Sequence, residues 1–249
     1  MNSGKNLDSS YVKSYYDGFL SKYEKEYAFY RWQAGEVEKI HFSQTRRALV
    51  PFLNKLKGSI LEIGGGDAIW TMEYISHVAK LNFLDISEEM VARAKKRLND
   101  FSSKINFINN DFIQNDFSEN TFDGVVSIRN LEYFTDKKFF IEKVNKLLKE
   151  NGQFVLVTKS PKYHLSDKAK QKTLHTAQID ILELIKMINN SGLRVLEVRP
   201  AICGKLFRFS FMRFISNLLH AITLILPWKM LPLNLLSRLS ESFVIYAKK

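Results

Sequence analysis

A single cysteine, Cys203, occurs in 249 residues, so the chain cannot close a disulfide on itself. Nothing in its cysteine usage asks for an oxidising compartment. Long apolar runs are missing as well. The longest uncharged apolar-rich run, Phe214 to Trp228, is broken by Asn217 and His220 and falls short of the roughly 20 residues a spanning helix needs. The polar start MNSGKNLDSSYVKSYYDG has no apolar core of a signal peptide, and the expected location is cytoplasmic, with a position peripheral to a membrane as the alternative. Acids are scarce at one end. From Arg199 to Lys249 there are eight Lys or Arg and one acid, Glu241, so +7 of the net +11 lies in the last fifth of the chain. Such an excess favours acidic partners, either nucleic acid or an anionic membrane surface. Internal repeats, low-complexity linkers and metal-ligand spacings are also lacking, and no metal is expected.

What is present is an alternation of short apolar strands with helices. Residues 9–56 read as helices rich in Tyr, Phe and charge. Strands are expected at 59–64, 80–86, 105–111, 122–128, 152–159, 194–200 and 242–249. Helices are expected at 70–78, 88–101 with Ser87 as N-cap, 137–149 and 178–190. This pattern implies an α/β fold with a mostly parallel sheet covered on both faces. The insertion before the final strand, 201–241, is far longer than an ordinary connection. The expected organisation is a helical lid over 1–57, a core over 58–200, the apolar and basic insertion, and a final core strand at 242–249.

The segment LEIGGGDAIWT (61–71) is a strand, a glycine turn and a helix start. Gly64 and Gly66 fit a dinucleotide fingerprint, but Ile69 stands where the third glycine belongs, and no Gly-Lys-Ser/Thr follows. Glu62, just before the turn, would repel a pyrophosphate and suits a cationic ligand. Asp85 ends the second strand, where an acid can accept hydrogen bonds from two ribose hydroxyls. Asp111, with Phe112 beside it, ends the third. Three acids at the ends of three successive strands line one crevice in an open α/β sheet.

These residues, with FDGVVSIRNLEYF (122–134) and LLKENGQFVLVTK (147–159), resemble the class I S-adenosylmethionine-dependent methyltransferases in five motifs, in order and at the right spacing. The resemblance implies a Rossmann-like seven-stranded sheet whose last strand is antiparallel. It also implies S-adenosylmethionine as cofactor. Gly64, Gly65 and Gly66 would pass under its methionine part, Glu62 would act on its ammonium, Asp85 would hold the ribose with Ile86 on the adenine, and Asp111 and Phe112 would flank the adenine. Arg129 would face the methionine end and the substrate. YVKSYYDGFLSKYEKEY resembles the helical lid of small-molecule and lipid-quinone methyltransferases, with Tyr15 and Tyr16 placed to close over the cofactor.

Methyl transfer from a sulfonium needs mainly alignment, so no strong catalytic motif is required. Groups that could orient or deprotonate an acceptor are Glu132, Tyr133, Tyr163, His164 and His175. His175, in the loop after strand five, is preferred over solvated-loop and packing roles for the others. No Asn-Pro-Pro-Tyr-type motif follows strand four, which argues against DNA or protein-glutamine substrates. The insertion leaves and re-enters at the cofactor edge, and its basic residues Lys205, Arg208, Arg213, Lys229 and Arg238 alternate with large apolar ones. It is expected to wall the substrate site, to sit at a membrane surface, or to pack as an extra core layer. The leading expectation is a methyltransferase for a small or lipid-linked acceptor. An RNA methyltransferase and a non-catalytic binding module with the same fold are the alternatives.

Overall fold

The computed structural model describes residues 9–21, 31–163, 178–203 and 210–249. A seven-stranded sheet runs in the order β3-β2-β1-β4-β5-β7-β6. The strands are β1 (Ser59–Ile63), β2 (Lys80–Asp85), β3 (Ile105–Asn109), β4 (Phe122–Ile128), β5 (Leu148–Lys159), β6 (Arg194–Cys203) and β7 (Ser240–Lys248). The pairs from β3 across to β5 are parallel, and β7 lies antiparallel between β5 and β6. β2 and β3 lie on one side of β1 and β4 on the other, so a topological switch point falls between β1 and β4. In open α/β sheets that point is where ligands bind.

The helices follow from amphipathic spacing and caps. α3 (Glu88–Arg97) starts at Ser87, whose hydroxyl accepts from the Met90 N–H at 3.2 Å; α4 (Lys137–Leu147) starts at Asp136, which accepts from the Phe139 N–H at 2.8 Å. α5 (Ile181–Asn190) is capped in the same way by Asp180. One face of the sheet is covered by α4, α5 and α7 (Leu233–Leu239), through residues such as Phe140, Val144, Leu184, Ile188 and Leu236. The other face is covered by α2 (Glu36–Leu53) and α3, through Leu49, Phe52, Leu53, Ala94 and Leu98. The N-terminal helices therefore differ in role. α2 belongs to the packed core, while α1 (Ser9–Ser21) sits at the carboxyl ends of the strands.

Three expectations are corrected. The segment 70–78 is not one helix but two 3-10 turns, Thr71–Glu73 and Ile75–His77. Side chains three apart eclipse in a 3-10 turn, and this lets Thr71 and Tyr74 both reach Glu62. The helix after β2 ends at Arg97 and gives way to a 3-10 stretch, Asn99–Lys104. β3 ends at Asn109, which leaves Asp111 in a turn where its Oδ1 accepts the Ile113 N–H at 2.9 Å.

The insertion is helical, as expected, and begins after Cys203. α6 (Ser210–Ile225) packs beside α2, while α7 lies on the opposite face. The chain between them crosses the edge strand β6, where the Trp228 indole N–H donates to the Leu196 carbonyl at 2.7 Å. An open strand edge invites unwanted pairing, and the crossing covers it.

Candidate active site

A cavity of about 470 Å³ opens at the carboxyl ends of the parallel strands. Every parallel strand delivers residues to it: Gly64 to Gly66 after β1, Asp85 and Ile86 at β2, Asp111 and Phe112 after β3, Arg129 and Asn130 after β4, and Lys159 at the end of β5. This convergence is what the switch point creates, and it brings most of the site residues expected from sequence into one crevice.

The glycine turn is tight for stated reasons. Gly64 has φ +67°, and a Cβ there would meet the Asn130 side chain at 2.4 Å. A Cβ on Gly65 would strike the buried Phe83 ring at 2.2 Å. Gly65→Ala is therefore expected to destabilise the fold by about 1–3 kcal/mol through overpacking. Urea unfolding monitored by circular dichroism checks this, and an unchanged midpoint would refute it. At Gly66 a Cβ would meet nothing within 4 Å, so the backbone there faces open cavity.

The turn's donors are already used within the protein. The N–H groups of Gly64 and Gly65 donate to the Leu84 carbonyl, and that of Gly66 donates to Asp85 Oδ2 at 2.8 Å. A phosphate cradle needs such donors free. Instead the cavity presents carboxylates: Asp67, Asp85 and Asp111 all line it. That set of acceptors fits a ligand with hydroxyls and a positive charge, and it fits the ribose and cationic methionine arm of S-adenosylmethionine.

Asp85 is buried and holds the turn, since its second oxygen accepts the Ser87 N–H at 2.9 Å. Burial pushes its carboxyl up to about 6, against the pull of these backbone donors. Glu62 lies one layer below. It does not line the cavity, and its Oε2 accepts from the Thr71 hydroxyl at 2.6 Å and the Tyr74 hydroxyl at 2.8 Å. Burial, helped by the nearby Asp85, pushes it up to about 7. Its reach toward a ligand thus runs through its neighbours. Phe112 lines the cavity with one side and packs against Phe134 and Phe140 with the other.

α1 covers the cavity with Ser9, Val12 and Tyr16. It is latched at two points. The Ser87 hydroxyl donates to Asp17 at 2.5 Å on the Asp85 side, and the Tyr16 hydroxyl bonds the Tyr133 hydroxyl on the other. Tyr15 lies beside Tyr16, edge to face, and is not among the cavity residues.

Residues 60–152 match the family model described as a methyltransferase domain. Over that stretch, which runs from β1 into β5, the chain is similar to a methyltransferase domain. Among solved structures, the N-methyltransferase NodS from Bradyrhizobium japonicum, in complex with S-adenosylhomocysteine, shares the fold at 17% identity; the match covers 94% of this chain and 97% of that one with a TM-score of 0.61. A phosphatidylethanolamine N-methyltransferase from Cereibacter sphaeroides is 23% identical over 140 residues, 55% of this chain and 66% of that protein. A Dictyostelium discoideum protein named as a polyketide synthase is 28% identical over 130 residues, 44% of this chain and 5% of its own length. The chain thus matches less than two thirds of the length of either curated relative.

The end of the cavity beside β4 and β5 is its least expected part. Arg129, with φ +59°, turns its guanidinium onto Glu241 at 2.7 Å. Arg31 reaches the same carboxylate at 3.4 Å while stacking over Trp32, and His41 lies 4.0 Å from it. Arg129 and the other cations hold Glu241 well below the usual carboxylate range despite its burial. Lys159 lines the cavity beside this cluster, and no hydrogen bond or ion pair of its ammonium occurs among the described residues. Burial, then Arg129, pushes it down to about 7.

Of the expected catalytic groups, Tyr133 lines the cavity. Glu132 is corrected: it is fully buried and does not line the cavity, and its Oε1 accepts the Lys159 backbone N–H at 2.6 Å. His164 and His175 lie outside the described residues. The insertion is corrected as a wall of the site, because none of its described residues lines the cavity. Lys159, Arg31 and Asp67 were not singled out from sequence. For Lys159 a signal existed: an ionisable residue ends the apolar strand FVLVTK at the same sheet edge as Asp85.

Proposed function

We propose that this protein transfers a methyl group to a small-molecule or lipid-linked acceptor entering the cavity between Tyr16, Tyr133, Arg31 and Lys159. The observation that carries the reading is the enclosure of these four beside the cofactor crevice and beneath α1. A latched helix over the site favours a slender acceptor over a folded polymer. S-adenosylmethionine, held in the crevice by Asp85, Asp111 and the Gly64–Gly66 turn, would supply a methyl group on sulfur for in-line attack by the acceptor's nucleophile. The chain's own residues then align and deprotonate. Tyr16 and Tyr133 wall the acceptor and exclude water. Lys159 Nζ receives the acceptor's proton, and its depressed basicity leaves it partly unprotonated near neutral pH. Glu132 and Glu241 hold Lys159 and Arg129 in place as positioning residues.

Labelled-methyl transfer into lipid and small-metabolite extracts tests the reading. The likeness to a phosphatidylethanolamine N-methyltransferase makes a lipid head group the first acceptor to try. Label in either extract supports the proposal, and label in RNA alone, or in nothing, rejects it. With an acceptor in hand, Lys159→Met is expected to lower kcat by about a hundredfold, the ordinary contribution of a positioned base. S-adenosylhomocysteine affinity should stay unchanged, and the rate should no longer rise through pH about 7. A variant that keeps the wild-type pH profile would remove Lys159 from the reaction.

A further inference from the structure

Helix α6 is built inside out. Its buried positions are Ser216, His220 and Thr223, at helical spacing on one side. The opposite side carries Phe211, Phe214, Leu218, Ile222 and Ile225, spaced three and four apart, and these are 70%, 65%, 51%, 43% and 83% exposed. An ordinary surface helix turns its apolar stripe toward the core.

The reversal is enforced by buried hydrogen bonds. The Ser216 hydroxyl donates to the Cys203 carbonyl and accepts from Gln44, and Gln44 Oε1 accepts the Cys203 N–H at 2.9 Å. His220 Nε2 pairs with the Pro200 carbonyl at 3.1 Å, and Asn217 accepts from Gln44 at 2.9 Å and from Arg47 at 3.2 Å. Burial, and then Arg47, pushes the His220 imidazole down to about 4, so it is neutral near pH 7. Rolling α6 over would strand these polar groups in an apolar contact, which costs more than it returns. The apolar side must therefore face outward.

The patch continues past the helix. Leu226 and Met230 in the crossing segment are exposed, and the exposed Lys229 lies between them in the chain. From Pro200 to Ser240 the sequence holds five Lys or Arg and no Asp or Glu. The charge selects the occupant. A second copy would bring an equally basic face, and like charges would oppose the contact. A neutral apolar partner would leave the cations without a role. An anionic lipid surface meets both halves, with acyl chains for the stripe and phosphates for Lys229. No described helix is long and apolar enough to cross a membrane, so the contact is one of lying on the surface.

We propose that the outward face of α6, together with the 225–230 turn, docks this protein on anionic lipid membranes. The docking does not depend on methyl transfer, so either idea can fail alone. The test is sedimentation of the full chain with vesicles of phosphatidylcholine plus phosphatidylglycerol, against phosphatidylcholine alone. The protein should pellet with the first, less so as salt is added. The triple variant Phe214→Ser, Leu218→Ser, Ile222→Ser should bind about tenfold more weakly or worse, and Lys229→Glu should also weaken binding. The pair Ile225→Ser and Met230→Ser, at the two most exposed positions, gives the same readout if the triple variant does not fold. Retained S-adenosylhomocysteine binding reports that a variant is folded. Failure of the wild type to bind anionic vesicles overturns the proposal. So does undiminished binding by folded apolar variants, capture of RNA in place of vesicles, or a solution dimer that the triple variant dissolves.

Discussion

Asp85→Ala is expected to weaken S-adenosylhomocysteine binding by about a hundredfold, because a carboxylate aimed at two hydroxyls makes charge-assisted hydrogen bonds together worth roughly 3 kcal/mol. The loss has two sources. One is the ribose contact that the crevice implies. The other is the turn itself, since the Gly66 and Ser87 N–H groups lose their acceptor. Asp85→Asn separates them: it keeps an acceptor for the backbone and should retain the fold's stability while still losing most of the affinity. Isothermal titration of both variants decides, and an affinity within a few-fold of wild type would refute the role.

The same residue gives a pH signature. In the free protein Asp85 is protonated below about 6. Affinity should then rise with pH up to about 7, and should fall by up to about tenfold per pH unit below 6. The stability of the free protein runs the other way. A carboxyl whose folded pKa is raised favours the fold below its unfolded value and withdraws that support as pH rises through the folded one. Asp85 and Glu62, pushed up to about 6 and about 7, therefore cost stability over the range where the ligand gains affinity. A site loosened by its own ionisation is tightened by the ligand that uses the charge.

The second large effect concerns Glu241. Glu241→Leu is expected to lower stability by about 3 kcal/mol, the usual consequence of leaving a buried charge without its partner. Here Arg129 and Arg31 lose their shared carboxylate at once. Chemical unfolding of the two proteins at neutral pH measures the difference. The sign with pH is opposite to that of Asp85. A depressed carboxylate supports the fold above its ordinary range and loses that support as pH falls through it. The stability gap between wild type and Glu241→Gln should accordingly shrink as the solution is acidified below pH about 4.5. A gap independent of pH would mean that Glu241 acts by packing alone.

The strands were legible because each is an apolar run of strand length, and the first three end at glycine or an acid. The cofactor half of the site was legible for the same reason, since Asp85, Asp111 and the Gly64–Gly66 turn sit where strands stop. What could not be read depended on contacts between distant segments. Thr71 and Tyr74 give up a regular helix to serve Glu62, and no local pattern announces a buried acid's needs. Glu241 looked like the lone acid in a basic tail, yet it meets Arg129 and Arg31 from 112 and 210 residues away. The insertion showed basic residues among large apolar ones but not which side of a helix would face out. Direction came from Gln44 and Arg47 on another helix.

The place of β7 has a dynamic consequence. Among the described strands, β6 touches the sheet through β7 alone. The two cannot open independently from that side: if β7 detaches from β5, β6 and its crossing segment go with it. Hydrogen exchange should find their amides opening as one cooperative unit. Glu241 rides on that unit, at the start of β7. Each opening would carry the shared carboxylate away from Arg129 and leave the acceptor end of the cavity briefly more positive. Occupancy of that cavity by an acidic acceptor would therefore be felt far away, as slowed exchange along the sheet's edge.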